Sequence, residues 1–137
     1  MKKILIGFLV LVGIGVCTAL YMWNKPTKHP ENAKEKIKIS AADLFKAYSG
    51  DENKANQMYI NVGDERSLIV NGEVTEVDKD TSGTLIVLET GDPIAKVACT
   101  MRDKDAKAEK GQKLNLVGFC TGSDITGVRL TDCVFDK

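Results

Sequence analysis

Four cysteines, one histidine and a scatter of carboxylates are the residues of this chain whose chemistry could reach beyond packing. Cys17 lies near the start, and Cys99, Cys120 and Cys133 lie in the second half. None stands in a CxxC pair, and no Cys/His cluster has the spacing of a zinc site. A thiolate nucleophile needs a base beside it. The one histidine, His29, sits between Lys28 and Pro30 in "NKPTKHPENAKEKIK", which reads as a solvated linker with no partner for metal or proton transfer. Glu73, Glu76, Asp78 and Asp80 are spaced as a solvated strand edge and turn. No catalytic, metal or cofactor constellation is expected, and the chain does not read as an enzyme.

The elements that carry these residues begin with "MKKILIGFLVLVGIGVCTALYMWNKP". Ile4 to Trp23 is uncharged and, as a helix, about 30 Å long, the thickness of a bilayer core. Tyr21 and Trp23 close the run, where amphipathic rings favour the interface. Lys2 and Lys3 favour a cytoplasmic amino terminus, although Lys25 and Lys28 on the other flank reduce the contrast. Residues 1–24 therefore read as a membrane anchor or signal segment. Three fates stay open: an uncleaved anchor, lipidation at Cys17 in "IGVC" (where the lipobox pattern wants Gly, Ala or Ser and Val16 stands instead), and cleavage after Ala19.

Residues 25–39 are polar, charged and proline-bearing, and read as a flexible linker. From Ser40 the pattern turns helical. Ser40 with Asp43 three residues on is a near capping box, and Leu44, Phe45 and Tyr48 share a face. Asp51 can cap a second turn, with Ala55, Met58 and Tyr59 continuing the stripe. Packing on a core is the expected role of this face; ligand stacking by Phe45, Tyr48 or Tyr59 is the alternative.

Residues 67–77, 84–90, 94–100, 113–120 and 128–135 read as five strands. Leu68, Val70, Gly72 and Val74 share a phase, as do Leu114, Leu116, Gly118 and Cys120. In the last strand Val128 and Leu130 fall in one phase, and Cys133 and Phe135 in the other, which predicts a bulge near Thr131–Asp132. Gly72 inside its strand suggests a bulge or sharp bend. The charged segment 101–112 is expected to hold a short helical turn. The chain is thus mainly β: a five-stranded OB-fold barrel over residues 40–137, preceded by a short helical segment and an N-terminal transmembrane helix.

"VNGEVTEV", "KGQKLNLVGFCTG" and "VRLTDCVF" resemble the tRNA-anti-like family, small bacterial envelope proteins often described as OB-fold lipoproteins. The likeness runs from about Ser40 to Phe135. "INVGDERS" (60–67) is longer than the family layout has between helix and first strand. The resemblance implies an OB barrel whose third and fifth strands run parallel and adjacent. On that strand order Cys99 and Cys133 share one end of the barrel, with Cys120 at the other. A Cys99–Cys133 disulfide is then the favoured pairing if a bridge forms, and three buried inert thiols are the alternative.

Charge bounds the partners. Nineteen basic and nineteen acidic residues balance, but Lys2, Lys3 and Lys25 precede Pro26 and no acid does, so residues 27–137 hold 16 basic and 19 acidic groups, a net of −3. Single-strand binding wants a basic groove and aromatic platforms. "TLIVLET" and "IAKVACT" offer no aromatic and one lysine, Lys96. The chain reads as a membrane-tethered, non-enzymatic binding or interaction module of the inner membrane. Its folded part is extracytoplasmic, and an envelope protein is the partner considered. Nucleic acid is the weaker alternative, and sequence leaves the ligand and oligomeric state open.

Overall fold

The computed structural model describes every residue except Pro26, Val62 and Asp64. Its centre is β2 (Arg66–Lys79), β3 (Thr84–Leu88), β4 (Lys96–Met101), β5 (Lys113–Asp124) and β6 (Gly127–Phe135). Neighbours run in the order β2-β3-β4-β6-β5, and β5 pairs again with β2, which closes the barrel. The β4–β6 pair is parallel, as the OB strand order requires. Alternation decides what fills it: Leu68, Val70, Val74, Ile86, Leu88, Val97, Cys99, Leu116, Cys120, Val128 and Leu130 all point into one buried core.

Two deviations from alternation are built in. At Thr131–Asp132, β6 spends three residues, Leu130 to Cys133, against the two-residue step Cys99 to Met101 on β4. That is the expected bulge. Asp132 takes φ 55, the left-handed region costly for a residue with a Cβ, and Cys133 is thereby turned back into the core. Gly72 marks no bulge; the register shift falls later, between Val74 and Glu76. Its missing side chain instead lets β2 approach Leu88 and Ala41, whose Cβ atoms would stand 3.1 and 3.2 Å from an added Cβ.

α2 (Ala41–Gly50) and α3 (Glu52–Tyr59) precede the barrel. Ser40 Oγ accepts from Asp43 N at 3.1 Å and donates to Asp43 Oδ2 at 2.8 Å, so the cap works with Asp in place of Glu. Asp51 Oδ1 accepts from Lys54 N at 3.0 Å and starts α3. Leu44, Tyr48, Ala55 and Tyr59 enter the core, whereas Met58 lies exposed, off the expected stripe. The segment 101–112 forms turns rather than a helical turn. Asp103 Oδ1 takes the Asp105 N–H at 2.9 Å, a local bond that competes with helix, and Ala106 is buried against the core.

The 25–39 linker is shorter than its composition suggested. Pro30–Asn32 is a 3₁₀ turn, and β1 (Glu35–Ser40) is a strand paired in parallel with β2, Glu35 opposite Arg66 through Ser40 opposite Asn71. Ile37 and Ile39 pack on the core while Lys36 and Lys38 face out. Ahead of it, α1 (Lys2–Trp23) has a mean hydropathy of 2.5 and no buried residue, and is long and apolar enough to cross a membrane. In the 60–67 loop, Asn61 N donates to Cys120 O at 3.3 Å; Val62 and Asp64 lie outside the described residues.

Candidate ligand-binding face

The cysteines resolve into core. Cys99, Cys120 and Cys133 are buried thiols and Cys17 is an exposed one on α1. Cys99 and Cys133 are neighbours across β4 and β6, and the Cys99 thiol beside it, together with burial, pushes the Cys133 thiol up. Cys120 is not at the far end of the barrel. β5 runs on to Asp124, so Cys120 is mid-strand, and both it and Cys99 pair with Leu130 from opposite sides. Two strand spacings, about 10 Å, then separate Cys99 from Cys120. Cys120 Sγ lies 3.3 Å from the Tyr48 hydroxyl. Burial raises its pKa, the reverse of what a reactive thiolate needs. Tyr48 and Tyr59 pack together with ring centroids 6.3 Å apart inside the core, which leaves them no ligand to stack.

Glu73, Glu76, Asp78 and Asp80 are all exposed along the end of β2 and its turn. Among the described residues no three His, Cys, Asp or Glu side chains converge as metal ligands.

His29 is not the solvated linker residue expected. Its Nδ1 is buried, 3.9 Å from Asp132 Oδ2. Beside it Arg102 holds two carboxylates at once: Nε and Nη2 reach Asp132 at 2.8 Å, and Nη1 and Nη2 reach Glu31 at 2.8 and 3.0 Å. The Arg102 hydrogen bonds lower the Glu31 carboxyl to about 2. The Pro30–Asn32 turn lies against β2, β5 and β6. There Ile69, Val117 and Phe119, in the outward phase of their strands, are nonetheless buried. This clasp binds the tether to the barrel. The bulge was legible in sequence, but nothing in the spacing linked Glu31 to Arg102, 71 residues on.

On the β3–β4–β6 side the barrel's outer face is uncovered. Outward residues form rows across the three strands. Leu85 stands opposite Thr100, with Thr131 beyond it on β6. Val87 stands opposite Ala98, and Ala98 opposite Arg129. Lys96 stands opposite Gly127. Small Ala98 between larger neighbours leaves a groove of about 450 Å³. Gly127 is obligatory twice over, having φ 124 and no room for a Cβ beside the Lys96 backbone.

An exposed isoleucine, Ile94, stands at the rim, and a second, Ile125, lies on the turn between β5 and β6, each on a turn fixed by an aspartate. Asp92 Oδ1 accepts from Ile94 N and Ala95 N, both at 2.8 Å. Asp124 Oδ1 accepts from Thr126 N at 2.8 Å and from its hydroxyl at 2.5 Å. Ile94 and Ile125 are thereby held 77% and 93% exposed. Both cations of the groove are neutralised within the protein. Lys96 Nζ donates to Glu89 Oε1 at 2.6 Å and to the Asp92 carbonyl at 2.7 Å, and Arg129 Nε meets Asp124 Oδ2 at 2.6 Å. The face therefore offers aliphatic surface and neutral hydroxyls, with no unpaired charge.

With this geometry in hand, the comparisons add one finding: the family model described as tRNA_anti-like matches residues 1–134, essentially the whole chain. No curated protein matches it.

Proposed function

The chain belongs to the tRNA_anti-like family, and on that premise we propose that it is a membrane-tethered, non-enzymatic binding module that holds its OB barrel on the extracytoplasmic side of the inner membrane. The single observation that carries the binding role is the uncovered groove on β3, β4 and β6. In OB barrels this face, with the loops beside it, is where ligands lie. Support for tethering comes from α1, which is long and apolar enough to span a membrane, and from Lys2 and Lys3 ahead of it for the orientation. Asn24 to Lys28 alone separate α1 from the clasped His29, so the barrel would stand within about 20 Å of the bilayer surface.

A nucleic-acid-binding OB module is the second reading, and the barrel itself is what favours it. Its electrostatics count against it, since affinity for a polyanion comes mainly from clustered free Lys and Arg. Here Lys96 and Arg129 are each already paired to a carboxylate. Protease added to spheroplasts tests the location: residues 27–137 should be digested, and protection until lysis would reverse the assignment.

A further inference from the structure

We propose that the β3–β4–β6 groove takes an extended, uncharged, aliphatic-rich peptide segment of a protein partner. This deepens the binding-module reading and rests on it. Polyanions, glycans and peptides ask different things of a surface. A polyanion needs cations free to replace its counterions, and Lys96 and Arg129 are bound to Glu89 and Asp124. The Lys96 hydrogen bond holds the Glu89 carboxyl below its ordinary value, and hydrogen bonds from Thr126, with Arg129 adding to them, hold Asp124 below its own. Bases, like sugar rings, seek an aromatic platform, and the lining contains none.

A peptide chain alternates amide donors and acceptors with side chains, and the groove matches both. Thr100 on β4 and Thr131 on β6, both exposed and both lining the groove, offer hydroxyls that can donate and accept. Small Ala98 between Val87 and Arg129 leaves a trough for an apolar side chain, and Ile94 stands at its rim. The charge-neutral surface is thus complementary to a charge-neutral segment. The rim is also pre-ordered. The Asp92 and Asp124 turns fix Ile94 and Thr126 before any ligand arrives, which reduces the ordering cost of binding.

The test uses the full chain in nanodiscs. A phage library of linear peptides of about seven residues, enough to span a barrel strand, is selected on the wild type and counter-selected on Ala98→Arg, which fills the trough. An oligothymidylate is the second probe. Ala98→Thr, a small change on the same strand, checks that loss of binding is not loss of fold, alongside circular dichroism of each variant. The expected result is enrichment of aliphatic peptides without acidic bias. Their synthetic copies should bind wild type and Ala98→Thr alike, lose roughly tenfold or more to Ala98→Arg and to Ile94→Asp, and depend little on salt. If only the oligothymidylate discriminates wild type from Ala98→Arg, the peptide proposal fails and the groove stays a binding site for a different ligand. If neither probe discriminates, the groove is not the site, and the proposal and the reading beneath it fall together.

Discussion

Arg102 shows how one side chain can fix two distant segments. Its planar fork satisfies Asp132 on the bulge and Glu31 on the tether, and its side chain is 30% exposed. Replacing it with Ala should destabilise the domain by about 1–2 kcal/mol, between an exposed pair and a charge-assisted bond in the interior; urea titration measures it. The pH dependence follows from Glu31. Its carboxyl is depressed to about 2 in the folded state from an ordinary 4.5. Its contribution is therefore complete above 4.5 and lost as the pH falls from there through 2. Because Glu31 is 39% exposed, solvent screening keeps the effect small. Arg102→Gln should flatten that part of the acid-stability curve. A second contact is steric. A Cβ at Gly118 would come 2.5 Å from Cys133 Sγ, so Gly118→Ala should cost about 1–3 kcal/mol by overpacking. Cys133→Ala should relieve most of it in a double-mutant cycle; strict additivity would mean the two positions are independent. Non-reducing peptide mapping should find Cys99 with Cys133 if oxidation forms any bridge. A bridge through Cys120 would contradict the strand register.

The elements differ in how plainly they were written. Ser40→Ala should cost about 1 kcal/mol, since it frees the Asp43 N–H that the hydroxyl now satisfies; a thermal melt beside Ser40→Asp checks it. That cap was visible because its two residues are three apart. The five barrel strands were visible because alternation is local, and the bulge because alternation breaks there. β1 was not. "EKIKIS" alternates over only a few residues and is as charged as the tether before it. Its strand character comes from pairing with β2, 31 residues away in register. The 101–112 segment misled in the opposite sense, because its helix-compatible composition is overridden by the Asp103 turn. The groove was half legible: the missing aromatics and the single lysine could be read from the segments that form β3 and β4. That Lys96 and Arg129 are both neutralised depends on loop carboxylates brought in by tertiary structure.

As a whole the molecule combines an apolar helix, a short tether clasped to the barrel, and an uncovered face on β3, β4 and β6. Residues 27–137 carry a net −3. Binding of the full chain in nanodiscs to labelled oligonucleotides should therefore be weak or absent at about 150 mM salt. Sub-micromolar affinity falling steeply with salt would favour the nucleic-acid reading. The most direct test places a photo-crosslinking amino acid at Val87, on the groove, and at Lys54, exposed on α3, in the full chain expressed in intact cells. The account predicts a discrete adduct with an envelope protein from Val87 and none from Lys54. No adduct at Val87, or an adduct with nucleic acid or a cytoplasmic protein, would contradict it.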